Sequence, residues 1–377
     1  MNIHRYTKLV VALTCSISAS PIASALAQAE APAAAVTPAP TPPAASSSAP
    51  VEAAPPVVAV SASATLAPAP TPAPAPVAAV ETAPVDAPLV EPLPATKPPP
   101  PPYSLPFALR PVGVGNVVRS DTALALFEDK ASGKSGSTVV STLLGTFKLT
   151  EELAPLVRLG IVSNSPPDTA ADPGAGFGFL NPVLGLTYGL KFGSFRVAPF
   201  FGVALPLGSG GGEAPQAKQV LARNSGIWAR SAMDNAMFAV NDLVLFPGVG
   251  IAYVNSGFTA QVEVTLLQLT RVRGNDTVQP DSSRTNLTSG IHVGYFFLPA
   301  LSFGAELRHQ RWVSTPGAVK ANEALRDTST FAFGPRFHLK LGEKTWLRPG
   351  VSLALPLDNP MAASKYKTIQ LDIPIAF

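Results

Sequence analysis

The chain has 377 residues, a formal net charge of +3, a single cysteine and a mean hydropathy of +0.26. A charge so near balance lacks the dense basic surface that nucleic-acid binding requires, so no nucleic-acid partner is expected. Residues 1–27 read as a secretory signal peptide. Arg5 and Lys8 precede an apolar run that begins at Leu9, and Ala25-Leu26-Ala27 forms a small-x-small cleavage site. Cys15 lies inside that signal, so the exported chain is expected to have neither disulfides nor thiol metal sites. No His/Asp/Glu cluster has metal-ligand spacing, and no cofactor is expected.

Residues 28–102 hold 22 Pro and 23 Ala among 75 residues, with no aromatic and no Gly. Alternating Ala-Pro removes backbone donors and restricts the residue before each proline, so neither helix nor sheet is accessible. Nothing in this stretch offsets the entropy of ordering, and it is expected to be a disordered arm. At ~3.1 Å per residue in polyproline II it reaches roughly 230 Å. That is far enough to meet peptidoglycan, the one partner its length suggests.

Phe, Trp and Gly all fall after residue 103. Residues 103–377 read as short alternating segments separated by turn residues, with no apolar run of the ~20 residues a membrane helix needs. Twelve segments are predicted: 117–127, 138–149, 153–162, 179–190, 195–205, 243–254, 258–270, 285–297, 301–312, 330–341, 346–357 and 367–377. Their connections alternate. Residues 150–152, 191–194, 255–257, 298–300 and 342–345 are short. Residues 128–137, 163–178, 206–242, 271–284, 313–329 and 358–366 are longer. The fold class expected is therefore all-β: a twelve-stranded antiparallel transmembrane β-barrel over residues 103–377, preceded by the Ala/Pro-rich arm. An even strand number puts both termini on the short-turn side. The longest connection, 206–242, contains two stretches rich in helix formers. It forms either a solvated outer loop or a short helix pair that covers or enters the lumen.

Parity assigns the faces. A charge facing lipid at mid-depth costs a few kcal/mol, so charged positions are placed inward. The expected lumen lining is Arg158, Arg196, Glu263, His292, Glu306, Arg308, Arg336, His338, Lys340, Arg348 and Asp372, with Asn181 beside them. Trp312, Trp346, Tyr295 and Tyr366 fall near segment ends, where an aromatic girdle belongs. Lys and Arg outnumber Asp and Glu in this lining. Two readings stand together: an anion-preferring pore, or a narrow barrel filled by paired charges.

The last nine residues read IQLDIPIAF. Ile369, Leu371, Ile373, Ile375 and Phe377 alternate with wetter positions and close on an aromatic. This resembles the final strand of Gram-negative outer-membrane β-barrel proteins, the broad porin-like and transporter-type group, although the usual upstream Gly is missing and Pro374 removes a ladder donor. The resemblance implies that these five residues act as an assembly signal read by the barrel-assembly machinery. It also implies a location in the outer membrane among its lipids, with the arm in the periplasm, and a role as a small-solute channel or transport component.

Three other roles were weighed. A plugged barrel would anchor the Ala/Pro arm. An autotransporter translocator needs a lumen helix before the first strand, and residues 107–116, with two Gly and a Pro, make a poor one. A lipid hydrolase of the kind found among twelve-stranded outer-membrane barrels needs a His and a Ser on the outer wall. His309 has outward parity, but no Ser lies two residues away on its own strand. No catalytic residue is assigned, and the chain is not expected to be an enzyme.

Overall fold

The computed structural model describes residues 103–169 and 174–377. The expected signal peptide and Ala/Pro arm lie outside the described residues. Sixteen strands follow in chain order: β1 (Val117–Glu128), β2 (Ser135–Thr146), β3 (Leu153–Ser165), β4 (Gly176–Phe179), β5 (Val183–Tyr188), β6 (Leu190–Phe192), β7 (Phe195–Ala204), β8 (Asp242–Asn255), β9 (Phe258–Arg271), β10 (Ser283–Leu298), β11 (Leu301–Trp312), β12 (Asp327–Phe337), β13 (Leu339–Lys340), β14 (Trp346–Leu347), β15 (Gly350–Pro356) and β16 (Lys367–Ala376). Among the described residues three helices, α1 (Ala217–Ala229), α2 (Asn235–Phe238) and α3 (Gly317–Ala321), and a 3-10 turn (Glu323–Leu325) sit in the connections.

These strands make twelve spans, because β4–β6, β12–β13 and β14–β15 are each one span interrupted by an irregularity. Neighbours pair antiparallel throughout, and the sheet closes on itself through β1 and β16, from Val117↔Ala376 to Leu126↔Lys367. Closure matters because hydrocarbon offers no partner to a free backbone group; a closed ladder satisfies every one internally. The chain is a twelve-stranded antiparallel transmembrane β-barrel.

The strand pattern is the one alternation imposes. In β9, Thr259, Gln261, Glu263 and Thr265 are buried inside while Val262, Val264 and Leu266 face out. The same split recurs in β11 and β12: Ser302, Glu306, Arg308 and Arg336 inside, Phe303, Leu307, Phe331 and Phe337 outside. The molecule thus departs from the soluble rule, with an apolar exterior and an interior in which charged and polar residues sit beside an apolar cluster.

Two expectations change. The connection 129–134 is no longer than the short turn 147–152, because Ser135, Gly136 and Ser137 continue the ladder opposite Glu128, Phe127 and Leu126. Hydrogen bonding, not composition, places that boundary. Of the four aromatics assigned to a girdle, Tyr366 is instead buried and stacks on Phe127 with ring centroids 4.9 Å apart, and Trp312 packs half-buried against the lumen cluster. Six exposed aromatics lie at the short-turn rim, Phe147, Tyr188, Phe192, Phe195, Tyr295 and Phe297, while others such as Phe177, Phe179, Phe201 and Phe331 are exposed elsewhere on the wall.

Candidate functional site: a lumen filled from both ends

Residues 103–116 form no helix, yet they run inside the barrel, and Phe107, Leu109 and Val112 are fully buried there. The wall grips this segment mainly by its backbone. The Ser104 N–H donates to Thr259 Oγ1 at 3.0 Å. The Phe107 N–H donates to Glu306 Oε1, and the Ala108 N–H donates to Glu306 Oε2 at 3.1 Å. The Arg110 N–H and its guanidinium both meet Glu263 at 2.6 Å. Carbonyls are taken in turn: Leu105 and Pro106 by Arg336 at 3.2 and 3.1 Å, Phe107 by Arg119 and by Gln370 at 3.0 Å, and Arg110 by Gln261 at 2.7 Å.

Inward glycines make the room. A Cβ on Gly294 would sit 2.2 Å from Ser104 Oγ, and one on Gly290 would sit 2.5 Å from Leu109 Cδ2. The Phe107 ring lies against Gly350 and Gly304 under the Arg336 guanidinium, 4.9 Å from the ring centroid.

The long connection 205–241 fills the other end. Helix α1 packs on β1–β4, and the chain reverses at Ser231 and Ala232, which have φ of 55° and 53°. Two successive left-handed non-glycine residues cost about 1–3 kcal/mol each, and the surrounding contacts hold them. Arg230 takes both oxygens of Asp121 at 2.8 and 2.7 Å and meets Asp234 at 2.8 Å. Arg158 reaches across to Asp234 at 2.6 Å. Burial alone would raise the Asp234 carboxyl, but the Arg158 and Arg230 guanidiniums outweigh it and hold the group well below the usual carboxylate range. The span opens at Asn181, whose backbone N–H donates to the Met237 carbonyl and whose amide donates to Ala239, so the wall itself docks the loop.

The two segments share side chains. Gln370 Nε2 donates to the Phe107 carbonyl and to Asp121 Oδ1 at 2.9 Å. Arg308 meets Glu306 at 2.9 Å and Gln370 at 3.0 Å, and reaches Ser231 at 3.4 Å.

Of the residues predicted to line the lumen, Glu263, His292, Glu306, Arg308, Arg336, His338 and Asp372 are buried inside, and Arg158 is nearly so. Arg196 and Arg348 are half-buried toward the short-turn mouth, and Lys340 is exposed at that rim. On β16, Ile369 faces out, Leu371, Ile373 and Ile375 alternate with the buried Gln370 and Asp372, and the Phe377 N–H donates to the Asn116 carbonyl. Sequence reasoning left out Arg119, Asp121 and Gln370, although their parity was readable. It also left out Arg110, Arg230 and Asp234, which lie outside any strand and had no parity to follow.

On the outer wall, register puts Ser329 opposite His309. Nδ1 of His309 lies 3.0 Å from Ser329 Oγ, its Nε2 lies 3.6 Å from Asp327 Oδ1, and Arg311 clamps both Asp327 oxygens at 3.1 Å. The serine comes from the neighbouring strand, which is why inspection of one strand missed it.

No protein-family model matches the chain, and no curated protein matches it. Three solved structures resemble the chain. An outer-membrane channel from Pseudomonas putida F1 is 14% identical, with a TM-score of 0.45, over 73% of this chain and 100% of that one. The KdgM porin is 11% identical with a TM-score of 0.36, over 69% and 99%. The NanC porin is 8% identical with a TM-score of 0.39, over 68% and 98%.

Proposed function

We propose that this outer-membrane-type barrel is a transport component whose lumen is shut at rest by two segments of its own chain, and that it passes small solutes, with a preference for anions, when the connection 205–241 shifts aside and residues 103–112 withdraw. The observation that carries this reading is how that segment is held. Its carbonyls and N–H groups are bound by lumen side chains that water or solute can serve equally well. Most of these bonds have a charged partner and net about 1.5–3 kcal/mol each, so withdrawal exchanges partners at a cost while the wall keeps its own backbone ladder. The preference for anions rests on the excess of guanidinium groups at the short-turn mouth.

Ser104 Oγ lies 3.4 Å from Ser302 Oγ, which makes a cross-link the direct test. In the double variant Ser104→Cys, Ser302→Cys, oxidation should lower the channel activity of the refolded barrel in a planar bilayer on the order of tenfold, and reduction should restore it. Equal conductance with the cross-link formed and broken would remove the gate. A wild-type barrel that never conducts would instead support the anchor reading, in which loss of residues 28–102 produces the phenotype.

The Ser329–His309–Asp327 arrangement favours a second reading, acyl-ester hydrolysis at the membrane face, because it pairs a nucleophile, a base and an orienting carboxylate. A fluorophosphonate probe should then label the folded barrel, and Ser329→Ala should abolish the label. An unlabelled folded barrel leaves His309 as an interfacial residue only.

A further inference from the structure

A cavity of about 110 Å³ lies at the short-turn mouth, between the lumen segment and the wall formed by β1–β3, β5 and the last two spans. Its charged lining is Arg110, Arg119, Arg348 and Asp372; most of the rest is apolar, including Leu144, Leu156 and Pro374. The charges do not balance. Arg110 has Glu263 as its partner, and Arg119 and Arg336 share Asp372 between them. Arg348 has no carboxylate within ion-pair distance among the described residues. Its Nε is shut off from solvent and hydrogen-bonds to nothing, and its guanidinium lies 5.6 Å from the Trp346 ring centroid. Arg196, also without a carboxylate, lies over the Tyr103 ring at 5.0 Å. Stacking on an aromatic face leaves the positive charge uncompensated. A half-buried guanidinium with no counter-charge and an unbonded, solvent-shielded Nε favours an anion beside it.

We infer that this cavity is a binding site for a small organic carboxylate, whose anionic head meets Arg348 and whose apolar body fills the space between Leu144, Leu156 and Pro374. Pockets that combine apolar walls with a few converging polar groups select ligands built the same way. Inorganic oxyanions match the charge but would leave the apolar wall against a hydrated ion. Size sets the body: an apolar cavity of ~150 Å³ accepts one benzene ring, so this one, of about 110 Å³, takes a short chain or a ring that projects in part into the mouth. Arg348 is well suited to the head, because its planar fork can present two parallel donors to one carboxylate. The inference deepens the proposed transport role and rests on it for its purpose, though not for its test.

Trp346, in contact with Arg348, is the reporter. The full chain carrying Trp228→Phe and Trp312→Phe, folded in detergent micelles, is titrated with benzoate, benzamide, chloride and inorganic phosphate while Trp346 emission is followed. Benzoate should give a saturable change that the other three do not. Arg348→Gln should weaken benzoate about tenfold or more, whereas Lys344→Gln on the exposed turn should not. A benzamide response equal to that of benzoate would reduce the site to a greasy pocket. Equal responses to chloride or phosphate would make it a general anion site, and either result overturns the inference, as does an unchanged affinity in Arg348→Gln. Binding is read without any flux. Saturable binding in a barrel that never conducts upholds the site and removes the transport role; conductance without binding does the reverse.

Discussion

Deleting residues 369–377 should leave a chain that never becomes a barrel. All of β16 beyond Thr368 would be lost, and with it the ladder that closes onto β1 between Val117↔Ala376 and Leu124↔Ile369. Strand β15 would lose its second neighbour as well, since Gly350 to Leu353 pair with Asp372 to Ile369. Each backbone group left facing hydrocarbon costs several kcal/mol, and two edges would carry them. The product should be protease-sensitive, absent from the outer membrane, and without the heat-modifiable gel mobility of a closed barrel. Loss of Phe377 alone should slow insertion but leave the conductance of inserted molecules unchanged, because its side chain is exposed and its backbone bond goes to Asn116, at the entry to β1. Normal surface level and heat-modifiable mobility after the nine-residue deletion would show that closure does not depend on this strand.

The second large effect belongs to Asp372, which has 0% exposed surface and is the shared counter-charge of Arg119 and Arg336. Both guanidiniums also hold carbonyls of the lumen segment. Asp372→Ala therefore leaves two buried cations in repulsion and loosens the grip on Leu105, Pro106 and Phe107 together. Removing one partner of a buried pair costs about 3–5 kcal/mol. The temperature at which the barrel loses its folded gel mobility should fall, and residues 103–112 should become open to protease supplied from the short-turn side. Arg119→Ala, with one cation removed and Asp372 still paired to Arg336, should be milder. Unchanged melting and protection in Asp372→Ala would mean that the segment is held by its apolar anchors, Phe107 and Leu109, and not by the charges.

The parts of this molecule differ sharply in how legible they were. Strand periodicity is a local property: Val262, Val264 and Leu266 had to share one face and Gln261, Glu263 and Thr265 the other, whatever the neighbours. Span number, closure and the inward set around Glu306, Arg308 and Arg336 followed from that alone. The lumen segment had no such signature. Its recognition runs through backbone carbonyls and N–H groups, which every residue carries, so residues 103–112 look like an ordinary lead-in. The glycines that receive it, Gly290 and Gly294, read as turn or bulge formers until their neighbours are known. Ser329 stood 20 residues from His309, beyond any same-strand search.

The sequence by itself therefore determined a barrel: alternation, the absence of any helical span and the pattern of connections permit no other membrane-crossing form, since hydrocarbon tolerates only backbones that satisfy themselves. Whether that barrel is open or filled was decided only in three dimensions. The connection 205–241 was equally free to lie in water, and the segment before β1 equally free to hang below the rim. Both enter the lumen because the ring of spans brings Asp121, Arg158, Glu306, Gln370 and Asp372, drawn from four different strands, within reach of one another and of the chain passing between them. Charges scattered over more than 250 positions become one network only when the sheet closes, and the closed network, not any stretch of residues, makes the plug.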